Sequence, residues 1–288
     1  MNILLTGATG NIGLEVLNQF ILQPYSGKII AGVRDVVKAR SKYSEFENIE
    51  LRKFDFEDTE TFDSALVNID IVFLLRPPQI SNIQKYIEPL INKIAAIGNI
   101  KVVLLSVQGA EKSSIIPHRK IELLILKNKI DYIFLRPSYF MQNLTTTLFP
   151  EIQHKKTITL PSGDAKFNWI DISDIAKVVI ECLLNFNKYN NKELVISGTQ
   201  NLNFEEVVDL INKITNGTIL YRPVNPIRYF IEKKKEEYKI GMIFVMLVLH
   251  YLPKVQPEPE IINTFYEMFG KEPKTIEEFI QNNSKKFT

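Results

Sequence analysis

The sequence has few of the residues that support disulfide bonds or metal sites. Its 288 residues include one cysteine, Cys182, so no disulfide can form within the chain and a reducing compartment is expected. Helical spacing predicts that this thiol is buried in a core. The histidines His118, His154 and His250 are scattered, with no second ligand at useful spacing, which predicts no metal site.

An excess of charge of one sign is also missing. The 35 basic and 33 acidic residues are well mixed and give a net charge of +2, which argues against a nucleic-acid partner. The first residues show neither a basic segment nor a cleavage site, so we expect no signal peptide and a cytoplasmic location. A hydrophobic content of 45% is ample for a sizeable core.

Long apolar runs are scarce, and the longest one extends from Ile240 to Leu252 with His250 inside it. As a helix this run would be about 20 Å long, short of the roughly 30 Å hydrocarbon layer of a membrane. We therefore predict no membrane span. The helix is expected to be buried beside an active site or to lie in a homodimer interface.

A glycine-rich segment follows the first apolar run, Ile3–Leu5, and leads directly into a helical pattern. Gly7 would permit a tight exit from a strand, Gly10 would let backbone approach a pyrophosphate, and Gly13 would let the helix pack closely on the sheet. With a strand before it and a helix after it, this GxxGxxG spacing predicts a dinucleotide-binding site. The predicted contacts come from Gly7, Thr9, Gly10, Asn11, Ile12 and Gly13.

Strand-like and helix-like stretches alternate through the first half of the chain, the pattern of an α/β protein with a parallel, doubly wound, Rossmann-type sheet. Strands are predicted near residues 2–6, 28–33, 49–54, 69–75, 101–106 and 130–136. Helices are predicted near residues 11–22, 59–67, 81–97 and 117–128, with Asp58 or Thr59 capping the second of them.

The pattern loosens after Leu135, where prolines interrupt short strand candidates and the chain becomes mostly helical from residue 203 onward. Further strands are predicted at 157–160, 167–170, 195–197 and 218–221, and a helix at 172–186. We expect a dinucleotide-binding Rossmann domain of residues 1–147 and 166–200. A smaller, mainly helical substrate-side lobe would comprise residues 148–165 and 201–288.

The end of the second predicted strand carries Arg34 where many dinucleotide-binding proteins have an acidic residue for the ribose hydroxyl. Lys38 and Arg40 follow closely. Because a guanidinium suits a 2′-phosphate, the sequence favours NADP(H), with NAD(H) as the alternative cofactor. Asp35 is expected to cap the next helix.

Ligands of doubly wound sheets bind where the strands end, so the residues just past each strand are candidates. Asp55 ends the third strand, where it would reach the adenine amino group or serve a turn. Leu74 and Arg76 end the fourth strand, beside the nicotinamide ribose, and Ser106 ends the fifth. After the sixth strand come side chains suited to lining a flat, apolar acceptor pocket: Tyr139, Phe140 and Asn143.

With these motifs the chain resembles the NmrA-like branch of atypical short-chain dehydrogenase/reductases, which includes quinone-oxidoreductase-like, azoreductase-like and triphenylmethane-reductase-like proteins. The resemblance covers nearly the whole chain and implies a nicotinamide-dependent oxidoreductase. It rests on residues 7–13, Arg34, residues 106–110, His118 with Glu122, residues 135–143 and residues 169–176.

The chain departs from the wider family's pattern of a serine followed by a Tyr and Lys pair. Ser106 keeps the serine place, but His118 and Glu122 stand at the Tyr and Lys positions, one helical turn apart. They form either a surface pair near the cofactor or a catalytic pair. His118, Tyr139 or water would then deliver a proton.

The missing pair helps to choose a reaction class. Oxidation of an alcohol or epimerisation of a sugar needs a positioned base, whereas hydride addition to an electron-poor acceptor depends mainly on positioning. The first hypothesis is therefore an NADPH-dependent reductase of flat quinone, azo or dye-like compounds. The second is a catalytically silent NADP(H)-sensing regulator that binds a protein partner, and an exposed apolar patch on the 240–252 helix would favour it.

Overall fold

The computed structural model of the chain describes residues 1–43, 49–114 and 116–288. Its strands, in chain order, are β1 (Asn2–Leu5), β2 (Lys28–Val33), β3 (Ile49–Lys53), β4 (Ile71–Leu74), β5 (Lys101–Leu105), β6 (Tyr132–Pro137), β7 (Tyr139–Phe140), β8 (Thr157–Leu160), β9 (Phe167–Ile170), β10 (Lys192–Ile196), β11 (Asn201–Leu202) and β12 (Leu220–Pro223).

The α-helices are α1 (Asn11–Ile21), α2 (Val36–Lys42), α3 (Thr61–Ala65), α4 (Ile83–Tyr86), α5 (Glu88–Ile97), α6 (Pro117–Lys127), α7 (Phe149–Lys155), α8 (Ile172–Leu184), α9 (Phe186–Tyr189), α10 (Phe204–Thr215), α11 (Pro226–Lys235), α12 (Ile240–Tyr251), α13 (Thr264–Phe269), α14 (Ile276–Asn282) and α15 (Ser284–Phe287). In the described part of the chain, no helix is both long enough and apolar enough to cross a bilayer.

Contacts divide the chain into two compact units. The first unit is Met1–Pro137 with Ile175–Val195, and the second is Ser138–Asp174 with Ile196–Thr288. Residues 138–147, 166–174 and 196–200 thus group with the second unit, although the sequence analysis assigns them to the Rossmann domain. The reason is that Tyr139 and Trp169 belong to the second unit's hydrophobic core.

The first unit is built on a sheet with the strand order β10-β6-β5-β4-β1-β2-β3. Pairing between neighbours from β6 to β3 is parallel, which confirms the predicted Rossmann-type architecture. The central strands β1, β4 and β5 are almost wholly buried because helices cover both sides of such a sheet. The order reverses at β1, so the ends of β1 and β4 form the crevice where ligands of doubly wound folds bind.

Two predicted helices have different starts or lengths in the structure. The helix expected at 59–67 begins at Thr61 with Glu60 as its N-cap, so the predicted capping by Asp58 or Thr59 is wrong. Asp58 instead accepts the N–H of Glu60 in the preceding turn, at 3.2 Å. The helix expected at 81–97 is divided between α4 and α5, since Pro89 lacks an N–H and starts a new helix.

The second unit has a core of its own, formed by apolar residues of α7, α10, α12 and α14 with β7, β8 and β9. β9 pairs with β7 in parallel and with β11 in antiparallel orientation, and β8 pairs with β12 in parallel. α10 has the capping box of Asn203 and Glu206, in which each residue's side chain accepts the other's backbone N–H.

Candidate cofactor and acceptor site

The predicted phosphate loop is a tight turn between β1 and α1. Gly7 has a φ of +61°, a left-handed conformation that glycine adopts without strain. The N–H of Gly10 donates to the carbonyl of Gly7 at 3.0 Å and closes the turn. This geometry explains why a glycine is needed directly after the strand.

Gly13 is required by the close approach of α1 to this turn. A Cβ at this position would stand 2.4 Å from the Gly7 carbonyl oxygen and 2.7 Å from the Ala8 Cα. Both neighbours are backbone atoms and cannot move aside as a flexible side chain would. At Gly10, in contrast, a Cβ would stand 3.3 Å from the same oxygen.

The N-terminus of α1 is suited to an anion. Gly10 caps it without a side-chain hydrogen bond, and the first turn contains no acidic residue. The first N–H groups of a helix lack intrahelical acceptors and lie at the positive end of its dipole. Thr9, Gly10 and Asn11 are exposed here, so a pyrophosphate would fit this end of the helix.

Arg34 is exposed directly after β2, the strand that pairs with β1 on the side away from β4. Lys38 and Arg40 are exposed as well, so the cations lie around the start of α2. The Asp35 carboxylate accepts the N–H of Lys38 at 2.9 Å, which confirms its predicted role as a helix cap. The arrangement leaves a guanidinium at the strand end where a 2′-phosphate would lie.

Asp55 and Leu74, two predicted cofactor contacts, have structural partners of their own. The Asp55 carboxylate accepts the N–H of Glu57 at 3.0 Å, so the turn role predicted as one alternative is present. Leu74 is fully buried in the first unit's core, which leaves only its backbone for a ligand. The end of β4 is tied to the end of β1 because the N–H of Leu75 donates to the Thr6 hydroxyl at 2.8 Å.

Arg76 is half-buried two residues beyond β4. Its Nη1 donates to the carbonyls of Pro77, Pro78 and Ile80 at 3.0, 3.2 and 2.6 Å. Its Nε is buried without a hydrogen-bond partner. Burial lowers the pKa of Arg76 to about 10, so the guanidinium remains charged at neutral pH.

Ser106, Glu122 and Arg136 form a buried network in the first unit. The Ser106 hydroxyl donates to Glu122 Oε1 at 2.7 Å, and Arg136 donates to both carboxylate oxygens at 2.9 Å. Arg136 Nη1 also lies 2.7 Å from Glu193 and 3.2 Å from Glu111. Glu122 has no exposed surface, so the first of the two alternatives for His118 and Glu122, a surface pair, is wrong for this residue.

The charge on Glu122 is stabilised despite its burial. Burial pushes the pKa of Glu122 upward, but hydrogen bonds from Arg136, Ser106 and Arg119 outweigh it and hold this pKa below its ordinary value. The Ser106 hydroxyl proton is engaged by this carboxylate. Ser106 therefore presents oxygen lone pairs, and not its proton, to any other partner.

His118 lies in the first turn of α6, one turn before Glu122. Burial, with a smaller contribution from the nearby positive charge of Arg76, lowers the pKa of His118 to about 3. The imidazole is therefore neutral at physiological pH. It can donate or accept one hydrogen bond at each nitrogen, but it is a poor source of a proton.

In the second unit, Tyr139 is a core residue. Its hydroxyl lies 2.9 Å from His250 Nε2, and His250 Nδ1 lies 2.7 Å from the carbonyl of Met246. Burial lowers the pKa of His250 to about 4 and raises the pKa of Tyr139. Tyr139 thus has a partner within the core, while Phe140 and Asn143 are partly exposed.

Two further sequence expectations, on the Asp171–Asp174 stretch and on Cys182, have structural outcomes. Asp171 accepts the N–H of Ser173 at 2.7 Å at the start of α8, so this acidic stretch caps a helix as predicted. Lys274 Nζ lies 3.1 Å from the Asp171 carboxylate. Cys182 is buried, as predicted, and burial raises its pKa to about 12.

Sequence reasoning missed two partnerships that shape these sites. The pair of Tyr139 and His250 is separated by 111 residues, and nothing local indicates it. The buried pair of Glu122 and Arg136 had one signal, since an arginine at the end of an apolar strand, directly before Pro137, needs a carboxylate partner. Across residues 1–43, 49–114 and 116–288 no cluster of potential metal ligands occurs.

Comparison with known proteins gives matches over nearly the whole chain. A model of the NmrA-like family matches residues 1–280. Prestalk A differentiation protein A of Dictyostelium discoideum is 30% identical over 229 residues, which are 80% of this chain and 74% of that protein. NAD(P)H azoreductase of Xenophilus azovorans is 26% identical over 294 residues, 99% of each.

Among solved structures, the NADPH-dependent quinone oxidoreductase QOR2 of Escherichia coli, in complex with NADPH, matches with a TM-score of 0.84. The match covers 98% of this chain and 99% of that one at 18% identity. Similarity at this level of identity shows that the two chains share a fold.

Proposed function

The chain belongs to the NmrA-like family, and we propose that it is an NADPH-dependent reductase that transfers hydride to a flat, electron-poor acceptor such as a quinone, azo or dye-like compound. The observation that carries the proposal is the geometry at the ends of β1 and β2. A glycine turn there leads into a helix N-terminus free of acidic side chains, and Arg34 is exposed at the neighbouring strand end.

The residues of the first unit fit NADP(H). Backbone N–H groups of Asn11 and Ile12 would hold the pyrophosphate, Gly10 would leave room for it, and Arg34 would pair with the 2′-phosphate. The ends of β4 and β5 would extend along the nicotinamide ribose. The NAD(P)H azoreductase relative and the NADPH complex of the quinone oxidoreductase support this choice of cofactor.

The residues at the positions of the usual Tyr and Lys pair support reduction over alcohol oxidation. Glu122 is committed to Arg136 and Ser106, and His118 is a neutral imidazole, so neither is suited to remove a hydroxyl proton. The bound NADPH supplies two electrons and one hydrogen as hydride, and one proton from water completes the product. His118 would position that water, because its pKa is too low for it to act as the acid.

As substrate contacts we propose Phe140 and Asn143. Both are partly exposed. Tyr139 would support them from the core, since its hydroxyl is already bonded to His250. A proton-donor role for Tyr139 therefore has less support than one for water.

The direct test is NADPH oxidation, followed by absorbance, in the presence of a panel of simple quinones, azo compounds and dyes. The wild type should oxidise NADPH faster than the uncatalysed mixture with at least one acceptor. Gly10→Val is the matched control, because its branched side chain would occupy the pyrophosphate position while the turn stays in place. A rate that persists in this variant would not come from the proposed site.

A second candidate function, an NADP(H)-sensing regulator, is favoured by the surface of α12. Ile240, Phe244 and Val248 of this helix are each more than half exposed. Contiguous exposed apolar surface of this kind is typical of a protein interface. This candidate, a regulator that binds a protein partner, replaces the first if NADPH binds, no acceptor is reduced, and the cofactor changes the protein's association with another macromolecule, measured by analytical ultracentrifugation of the mixture.

A further inference from the structure

Arg76 lies at the end of a strand of the first unit, close to the predicted phosphate turn. It follows β4, whose neighbours in the sheet are β1 and β5. The preceding Leu75 packs against the glycine turn, where its Cδ2 would be 2.9 Å from a Cβ on Gly7. Arg76 therefore lies at the carboxyl edge of the sheet between the phosphate turn and Ser106, where the reacting end of a dinucleotide is held in this architecture.

Among the described residues, Arg76 has no counter-charge. Its hydrogen bonds to them come from Nη1 and go to neutral carbonyls, and its Nε is buried without an acceptor there. Within the described residues, Arg76 makes no ion pair with a carboxylate. A buried donor without a partner is costly in a folded protein and needs an explanation.

Arg136 provides the contrast at the same edge of the same sheet. Its guanidinium lies within 3.2 Å of three carboxylates, those of Glu122, Glu193 and Glu111, so its charge is compensated. Carboxylates therefore neutralise the charge of Arg136, a strand-end arginine with a structural role. Among the described residues, no carboxylate neutralises Arg76 in this way.

The neighbours of Arg76 do not remove this charge. His118 is close enough for Arg76 to lower its pKa and is itself neutral, and the Ser106 proton is committed to Glu122. The reacting end of the site is thus positive before substrate enters. Such a site stabilises negative charge that develops on an acceptor during hydride addition and repels an acceptor that is already cationic.

On this basis, and resting on the proposed reductase function, we propose that Arg76 selects the acceptor. Its uncompensated charge and its Nη2 group, which bonds to none of the described residues, favour neutral acceptors whose oxygen becomes anionic as the ring takes up hydride, as in a quinone, over cationic dyes. The NADPH hydride joins the acceptor, the oxygen gains the negative charge, and water then protonates it. The Arg76 guanidinium takes no part in proton transfer.

Binding to the NADP⁺-loaded protein tests this selection independently of turnover. The probes are 1-naphthoate and 1-naphthylmethylammonium, which carry opposite charges on the same flat ring, and affinity is measured by calorimetry. The wild type should bind the anion at least about tenfold more tightly than the cation, since a hydrogen bond to a charged group contributes that much. Arg76→Gln should abolish the preference, and Arg76→Lys should keep most of it.

Arg52→Gln is the matched control, because Arg52 also donates to backbone carbonyls, those of Ala65 and Val67, but lies in β3. It should leave the preference unchanged, and thermal unfolding checks that each variant folds. Equal affinities of the wild type for the two probes would overturn the inference, as would a loss confined to NADP⁺ affinity in Arg76→Gln.

Turnover separates this inference from the proposed function. With a neutral quinone, Arg76→Gln should lower kcat/KM about tenfold or more, and with a cationic dye it should not. If the kcat/KM values for the quinone and for the dye fall by the same factor in Arg76→Gln, Arg76 does not select the acceptor. If the wild type reduces neither compound but still prefers the anionic probe, the proposed reductase function fails and the anion subsite stands.

Discussion

The substitution Gly13→Ala tests the close contact between α1 and the phosphate turn. In a helix, alanine is ordinarily favoured over glycine by about 0.5–1 kcal/mol. Here the new Cβ would stand 2.4 Å from the Gly7 carbonyl oxygen and 2.7 Å from the Ala8 Cα. Overpacking against atoms that cannot rotate away costs about 1–3 kcal/mol, so the steric cost should exceed the gain in helix propensity.

We therefore expect Gly13→Ala to lower the free energy of unfolding by about 1–2 kcal/mol and the Tm by a few degrees. NADPH affinity should fall as well, because relief of the contact moves the turn. Gly10→Ala is the matched control, since its Cβ would stand 3.3 Å from the same oxygen. It should unfold like the wild type but bind NADPH more weakly.

Circular dichroism gives the unfolding curves, and fluorescence titration gives the NADPH affinities. If the Gly13→Ala variant is as stable as the wild type or more stable, the predicted steric clash between the new Cβ and the phosphate turn is refuted. An equal loss of stability in the two variants would show that replacing either glycine of this turn is destabilising, whatever the distance between the new Cβ and the Gly7 carbonyl oxygen.

Further predictions concern the cations and the histidine of the first unit. Arg34→Ala should weaken NADPH binding about tenfold and leave NADH binding nearly unchanged in parallel titrations, and equal affinity of the wild type for both cofactors would contradict the assignment. His118→Ala should lower turnover modestly with near-normal NADPH binding, whereas a loss of about a hundredfold or more would identify His118 as a true general acid. Glu122→Gln should cost about 3 kcal/mol of stability at pH 7. Because the folded pKa of Glu122 lies below its ordinary value of 4.5, its stabilisation is complete above that pH and is lost as the pH falls through the folded pKa. The gap in unfolding free energy between wild type and variant should therefore narrow below about pH 4.5, and a gap that stays constant would rule out an ionised Glu122.

The sequence predicts those parts of the fold that depend on local patterns. The strands β2, β8 and β9 have the predicted bounds because apolar runs with turn residues on both sides mark them clearly. Asp35 caps α2 because capping depends on residues only three positions apart. The division of the predicted 81–97 helix follows from Pro89 and is a local signal that periodicity alone overlooks.

What the sequence does not predict depends on contacts between distant residues. A glutamate on a helix is usually exposed, and only the folded sheet brings Arg136 to Glu122 and buries both. Tyr139 has an aromatic side chain suited to a pocket, yet α12 supplies His250 and makes it a core residue. Likewise, the sequence indicates a cation at Arg76 but not whether a carboxylate neutralises it.

The proposed reaction is hydride transfer from NADPH that would bind at the glycine turn of the first unit. Stereospecifically deuterated NADPH, labelled at C4 on one face or the other, tests it most directly with a quinone as acceptor. One labelled form should lose its deuterium and show a primary isotope effect on turnover, while the other should retain the label in the NADP⁺ product. Loss of label from both faces, or no turnover with either form while NADPH still binds, would contradict the claim.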